Sequence, residues 1–285
     1  MEYLVFLYFA LVLHVYSHND IIDLVLMSKI DYMINFERTL SQAEKIQAID
    51  TAMTNLPSLL KGKEMWQNKM HEFDVYDHTC KFVEVLKEVL AEQTGEIDLN
   101  MVAAGWLHDV GKPEVAVSKV KDGVLQQREE GKSYHDFDDH EFVGADMVRA
   151  MSPQFFVDLG LDQEKVALLV KYHFLPLKGI KMMRKTADYK TFQDSYNQLK
   201  KQLDEINEKE GHVNKDEIML MFLADKSSQG DPATYCTDQE ELFAIRKALL
   251  SDDETMEDKF LKTIYKMQKE SAKNNYKYSK KGEII

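Results

Sequence analysis

The sequence predicts an all-α protein on three observations. Glycine and proline, the residues that most often interrupt helices, number only 12 and 5 in a chain of 285 residues. Leucine, lysine, glutamate, glutamine and methionine, which favour helices, are abundant. Apolar residues recur at spacings of three and four along much of the chain, as on the buried face of a helix. Because 44% of the residues are hydrophobic, the chain can build a sizeable core.

The balance of charges narrows the range of partners. The formal net charge is −13 and the isoelectric point is near 5.2, so we expect no long nucleic acid partner and no stable membrane association. A small phosphate-bearing substrate stays compatible with this surface if a metal reverses the local field. The two cysteines, Cys80 and Cys236, give no disulfide framework, which fits a reducing compartment and predicts a cytoplasmic location.

The N-terminal segment is an apolar leader at residues 1–26, followed by an N-terminal helical segment at residues 27–70. The run at residues 3–16 is apolar apart from His14, and no lysine or arginine precedes Lys29. A membrane-spanning helix usually needs about 18 to 20 apolar residues, and a signal peptide needs a basic start. Three interpretations stay open: a spurious leader before a start at Met27, a packed helix, or a membrane anchor or signal.

Helical periodicity continues through most of the remaining chain. Ser41 is a plausible cap and Gly62 a plausible stop for the first helix, while residues 99–110 are apolar nearly all round and predict a buried central helix. The lysine-rich tail at residues 273–281 predicts a frayed end. The predicted helices cover residues 41–62, 78–90, 99–110, 139–151, 162–173, 188–209, 215–228, 238–250 and 255–272.

Residues 113–138 break this pattern. Valines surround the turn signal Asp122-Gly123, so we predict a small irregular insertion with one hairpin, which is a candidate for a lid over a site. Substrate specificity is expected to lie in this insertion and in residues 174–187, and neither segment carries a recognisable code.

The neighbouring residues His108 and Asp109 lie at the end of the apolar central helix. A buried carboxylate is costly without a compensating positive charge, and a divalent metal satisfies both side chains at once. Gly111 lets the backbone turn, and Lys112 then places a cation that could contact a phosphate group on the same side as His108 and Asp109.

Four further polar side chains fall in register with the apolar stripes of their own helices. Any one of them alone would more often be an ordinary core residue, but buried histidines and carboxylates need partners, and together the set predicts a site for two metals. Mixed imidazole and carboxylate ligands favour Mn, Fe, Co, Ni or Zn, with Mg also possible. The four residues are His78, His140, His173 and Asp225.

The order His, His-Asp, His, His, Asp resembles the HD-domain superfamily of metal-dependent phosphohydrolases. Residues 71–79, 107–113, 140–146 and 223–225 are similar to segments of the HD domain in bacterial tRNA nucleotidyltransferases and poly(A) polymerases. The resemblance covers about residues 71–232, without a nucleotidyltransferase head before it. It implies an HD-domain helical bundle at 71–232, followed by C-terminal helices and a lysine-rich tail at 233–285.

The resemblance also implies roles for the residues that match the family's motif. A first metal would be held by the opening histidine, the His-Asp pair and the last aspartate, and a second by the two additional histidines, with Asp109 bridging. The implied metal ligands are His78, His108, Asp109, His140, His173 and Asp225.

The implied activity is hydrolysis of a phosphomonoester or phosphodiester in a small nucleotide-like substrate by a metal-activated hydroxide. Asp109 and Lys112 would be the catalytic residues, and Lys112 and His71 would contact substrate. For His71 and His135, which lie near the motif in sequence, a surface position is an equal alternative. Two other functions stay open: an HD-type mixed-valent di-iron oxygenase and a non-catalytic metal-bearing signalling module.

Overall fold

A computed structural model of the protein describes residues 40–69, 71–129, 131–230 and 239–280. The predicted leader at 1–26, the start of the segment at 27–70 and Cys236 lie outside these ranges. Helices dominate the described chain, which confirms the all-α prediction. In chain order they are Gln42–Met53 (α1), Pro57–Leu60 (α2), Val75–Thr94 (α3), Leu99–Leu107 (α4), Lys112–Val115 (α5), His140–Ala150 (α6), Pro153–Leu159 (α7), Gln163–Tyr172 (α8), Leu175–Arg184 (α9), Tyr189–Glu210 (α10), Lys215–Ser227 (α11), Gln239–Leu249 (α12) and Glu254–Lys280 (α13).

Helix boundaries differ from the prediction where proline is involved. The helix predicted at residues 41–62 is divided into α1 and α2, because Leu56 is extended before Pro57, as the ring of a following proline requires. Helices α7 and α9 were not predicted at all, and each carries a proline in its first turn, where no hydrogen bond is lost. The predicted frayed tail is also wrong for most of its length, since α13 continues to Lys280.

The insertion contains three two-stranded antiparallel ladders, so the prediction of a single hairpin is wrong in number. The first of the two inner ladders turns at Asp122 and Gly123, both at positive φ, as the sequence signal predicts. The outermost ladder brings the two ends of the insertion together. The strands are Val117–Ser118 (β1), Val120–Lys121 (β2), Val124–Leu125 (β3), Gln127–Glu129 (β4), Lys132–Ser133 (β5) and His135–Asp136 (β6), paired as β1 with β6, β2 with β3 and β4 with β5.

Helix α4 lies at the centre of the bundle, as predicted, but it ends at Leu107 and not at Val110. All its residues from Met101 to Leu107 are buried. Asp98 caps its first turn, and Lys165 of α8 donates both to Asp98, at 2.9 Å, and to Glu217 of α11, at 2.7 Å. These contacts hold the helix that precedes His108 against α8, which His173 follows, and against α11, which carries Asp225.

Gly111 sets the distance between the His108-Asp109 turn and α6. A Cβ atom at this position would overlap the carbonyl oxygen of His140 and lie 2.6 Å from the backbone nitrogen of Gly144. A side chain here would therefore push α6 away, and His140 with it. In the described part of the chain, no helix has the length and apolar character needed to cross a bilayer.

Candidate metal centre

The six residues predicted as metal ligands come together in the interior of the bundle. All are buried, and none exposes more than the 7% of Asp225. They divide into two groups of three, within which the potential ligand atoms lie within 4.8 Å of one another. The first group is His78, His108 and Asp225, and the second is Asp109, His140 and His173.

Asp109 belongs to the second group but also borders the first. One of its oxygens faces His78 and His108, and the other faces His140 and His173. Its Oδ2 is 3.2 Å from His108 Nε2 and 3.9 Å from His78 Nε2. Its Oδ1 is 3.3 Å from His140 Nε2 and 3.9 Å from His173 Nε2. This is the arrangement in which a single carboxylate can bridge two cations.

Backbone carbonyls orient all four imidazoles in the same way. A carbonyl can only accept, so each Nδ1 must carry the proton, and each Nε2 presents a lone pair to the carboxylates. Three of the carbonyls belong to the residue three positions earlier, which fixes the ring through its own local chain. The Nδ1 contacts are His78 with Ser228 at 3.3 Å, His108 with Gly105 at 2.8 Å, His140 with Phe137 at 2.8 Å and His173 with Val170 at 2.6 Å.

The resulting lone pairs lack suitable partners among the described residues. The buried Nε2 atoms of His108 and His140 have no hydrogen-bond partner there. His78 Nε2 lies 3.1 Å from Asp225 Oδ1, so two acceptors face each other once Nδ1 carries the proton. Buried acceptors without a donor are costly, and a cation removes that cost. The donor set therefore fits divalent metal ions with nitrogen and oxygen ligands.

The titration behaviour of the buried groups agrees with this chemistry. Burial lowers the pKa of His78 although Asp225 and Asp109 act to raise it. Burial and the nearby His108 and His140 lower the pKa of His173 to about 3. Both rings are therefore neutral near pH 7, as metal ligation requires.

The two aspartates are ionised. Burial raises the pKa of Asp109, the ammonium group of Lys112 acts to lower it, and the resulting pKa lies well below the usual value. Burial likewise raises the pKa of Asp225, the ammonium group of Lys226 acts to lower it, and the resulting pKa again lies well below the usual value. Both carboxylates thus carry the charge needed to bind a cation.

Two buried lysines accompany the two carboxylates. Lys112 Nζ lies 2.6 Å from Asp109 Oδ2, and Lys226 Nζ lies 2.8 Å from Asp225 Oδ2. Lys112 was predicted to lie beside the pair His108-Asp109, and the structure places its ammonium group against Asp109. Lys226 was missed, although it directly follows a predicted ligand, because a lysine next to an inward-facing residue on a helix is usually exposed.

The two further histidines considered from the sequence lie at different places. His71 packs edge-on against the His78 ring, with centroids 5.4 Å apart, and its Nε2 is 3.1 Å from Gln229 Nε2. His135 belongs to the insertion, where its Nδ1 lies 3.3 Å from the Trp66 carbonyl oxygen. The structure thus places His71 directly beside a predicted ligand and His135 in the outermost ladder of the insertion.

Glu141 and Gln67 are buried polar residues at the centre that the sequence analysis missed. Glu141 Oε2 is 3.4 Å from His140 Nδ1, and its Oε1 accepts from Lys178 at 2.8 Å. Gln67 Oε1 accepts from Lys112 at 2.5 Å. The adjacent pair His-Glu at the start of α6 was a signal for Glu141, whereas Gln67 lies in a segment without periodicity and gave none.

A helical bundle with a buried centre of four histidines and two aspartates defines an HD-domain protein. The model of the family described as "HD domain" matches residues 75–229, more than half of the chain, and the chain belongs to that family. This confirms the resemblance predicted for about residues 71–232. Membership places the protein in a superfamily of metal-dependent phosphohydrolases.

One curated relative extends the comparison. Over 132 residues the chain is 30% identical to the A-adding tRNA nucleotidyltransferase of Deinococcus radiodurans. The aligned region is 46% of this chain and 27% of that protein, so the chain spans about a quarter of the relative's length.

Proposed function

We propose that this protein is a metal-dependent phosphohydrolase that uses two divalent metal ions to cleave a phosphomonoester or phosphodiester of a small nucleotide-like molecule. The observation that supports it best is the position of Asp109, whose two oxygens face two separate groups of histidines. When bound, divalent metals supply the Lewis acidity that activates water and polarises a phosphoryl group.

The protein's own residues then have distinct tasks. His78 and His108 present lone pairs on one side of Asp109, and His140 and His173 do so on the other, each ring held by a backbone carbonyl. Asp109 would contribute one oxygen to each of two cations and would offset part of their charge. Because all these groups are buried and oriented beforehand, little reorganisation is needed when substrate arrives.

The local charge favours an anionic substrate. The carboxylates of Asp109 and Asp225 are balanced by the ammonium groups of Lys112 and Lys226, each in direct contact. Two divalent ions would therefore give the centre a strong positive charge, although the chain as a whole carries −13. Such a centre attracts a compact phosphate group while the acidic surface disfavours a long nucleic acid.

The test is a screen of purified protein against phosphate esters, with Mn, Co, Ni, Fe and Mg supplied in turn. Asp109→Ala should abolish hydrolysis, whereas Asp146→Ala should not, because Asp146 lies on α6 with 81% of its side chain exposed. Equal activity of wild type and Asp109→Ala would identify the hydrolysis as a contaminant. Dioxygen uptake by the iron-loaded protein, without ester hydrolysis, would favour the oxygenase alternative.

A further inference from the structure

Gln67 brings an unused hydrogen-bond donor to the edge of the centre. The residue is 4% exposed, and its Oε1 lies 2.5 Å from Lys112 Nζ. An ammonium group only donates, so the amide oxygen must be the atom that faces Lys112. The Nε2 group is then left buried with no hydrogen-bond partner among the described residues. A buried donor in this state is costly, which points to a ligand that completes it.

The backbone around Gln67 is fixed from two directions. On one side, Asp74 at the start of α3 accepts from the Glu64 backbone at 2.8 Å, and Val75 donates to Met65 at 3.0 Å. On the other side, His135 of the insertion donates to the Trp66 carbonyl at 2.9 Å. Gln67 is therefore held in place by both the helix that carries His78 and the insertion.

The neighbourhood of Gln67 is suited to an anion. Lys112 provides a full positive charge, and the Phe137 ring lies 5.5 Å from the same ammonium group, which closes that side with an apolar wall. Lys112 and the amide of Gln67 are thus two neighbouring donor groups at the edge of the centre.

We propose that Gln67 is a substrate-binding residue whose Nε2 group donates to a nonbridging oxygen of the phosphoryl group contacted by Lys112. This inference rests on the proposed function and deepens it. One phosphoryl group offers separate oxygens to the two neighbouring donors, so Lys112 supplies charge and Gln67 supplies direction. Gln67 lies before residues 75–229, so the family match does not include it.

The first test measures binding of inorganic phosphate to the manganese-loaded protein by isothermal titration calorimetry. Gln67→Met preserves the length of the side chain and its apolar part but removes the donor. It should weaken phosphate binding at least tenfold, with the metal content unchanged. Gln67→Glu keeps an acceptor for Lys112 but also lacks the donor, so it should weaken phosphate binding too. Gln163→Met is the matched control, because Gln163 donates to backbone carbonyls such as that of Val148, at 2.8 Å, and should leave phosphate affinity unchanged.

A double-mutant cycle separates direct contact from an effect through Lys112. If Gln67 contacts phosphate itself, Gln67→Met should weaken phosphate binding further in a protein that already carries Lys112→Met. If Gln67 only positions Lys112, its effect should vanish in that background, and this result would overturn the proposal.

Failure of this inference can be told apart from failure of the proposed function. Wild type that hydrolyses phosphate esters and binds phosphate, with Gln67→Met and Gln67→Glu equal to it, overturns only the role of Gln67. Wild type that binds no phosphate with any of the metals overturns both. Melting temperatures of all variants, measured alongside, show whether each one is folded.

Discussion

His78 Nε2 and Asp225 Oδ1 lie 3.1 Å apart across the interior, although 147 positions separate the two residues in the chain. His78 belongs to α3 and Asp225 to α11, so this contact joins two helices of the bundle at the candidate metal centre. Since both atoms are acceptors when Nδ1 of His78 carries the proton, a cation between them would convert an unfavourable contact into a cross-link.

Metal binding should therefore stabilise the fold. A ligand that binds only the folded state adds about 2.7 kcal/mol at a hundred times its dissociation constant, which corresponds to a melting temperature higher by about 4–5 °C for a chain of this size. Differential scanning fluorimetry with chelator, and then with manganese, measures this gain. Asp225→Asn keeps the shape but removes the charge, and its gain should be smaller. An unchanged melting temperature with every metal would contradict a metal site.

The two groups of ligands predict two metal ions per chain. Elemental analysis of protein purified without chelator should approach two equivalents, because each group offers three buried ligand atoms. His140→Ala or His173→Ala should reduce the content to about one equivalent, since His78, His108 and Asp225 form a separate group. Saturation of wild type at one equivalent with every metal would leave only one of the two groups as a site.

Lys112→Met should affect turnover but not metal content. Lys112 contacts Asp109 and Gln67, and its ammonium group stands beside the position proposed for the phosphoryl group. Loss of one such charge-stabilising donor typically lowers kcat/KM on the order of 10²-fold or more. The kinetics should be compared with Lys201→Met, a lysine of α10 with 77% of its side chain exposed. Unchanged kinetics in Lys112→Met, with metal retained, would remove the main reason to prefer a phosphate substrate.

Gly111→Ala should disturb the centre from outside its ligand set. The new methyl group would overlap the His140 carbonyl oxygen, so α6 must move, at a cost of about 1–3 kcal/mol in the free energy of unfolding. Urea denaturation measures this cost, and metal analysis should show loss from the group that contains His140. Gly144→Ala is the comparison, because its methyl group would meet a side-chain atom of Val170 at 3.1 Å, and this contact can relax more easily. Equal stability of Gly111→Ala and wild type would contradict the close approach.

The ion pair between Asp98 and Lys165 should make the free energy of unfolding fall as the pH is lowered into the acid range. Burial raises the pKa of Asp98, but Lys165 and backbone donors lower it more strongly, so its folded value lies below 3.8. The stabilisation is therefore fully present above about pH 4 and is lost as the pH falls through the folded pKa.

Lys165→Met tests this dependence by urea unfolding at pH 5 and pH 3. The variant should lose about 1–3 kcal/mol at pH 5, because Asp98 and Glu217 lose a shared partner. Its further loss of stability at pH 3 should be smaller than that of wild type. A wild type with the same stability at both values would show that Asp98 does not contribute in this way.

The sequence by itself determined the fold class and the residues of the candidate centre. Scarce glycine and proline and a helical period suffice for an all-α bundle, because both depend only on neighbours along the chain. The inward register of His78, His140, His173 and Asp225 followed from the same period. The details that depended on proline, such as the break before α2 and the start of α9, could not be predicted as safely, since proline also begins helices.

Only the tertiary structure decided how these residues meet. The division of the two Asp109 oxygens between separate groups depends on how α3, α6 and α8 cross, and no local pattern contains that information. Gln67 became visible at the centre for the same reason, because its partner Lys112 comes from a distant part of the chain. Lys226 became visible because the packing around α11 buries it beside Asp225. Periodicity tells which way a side chain points, whereas the atoms it reaches are set by the neighbouring elements.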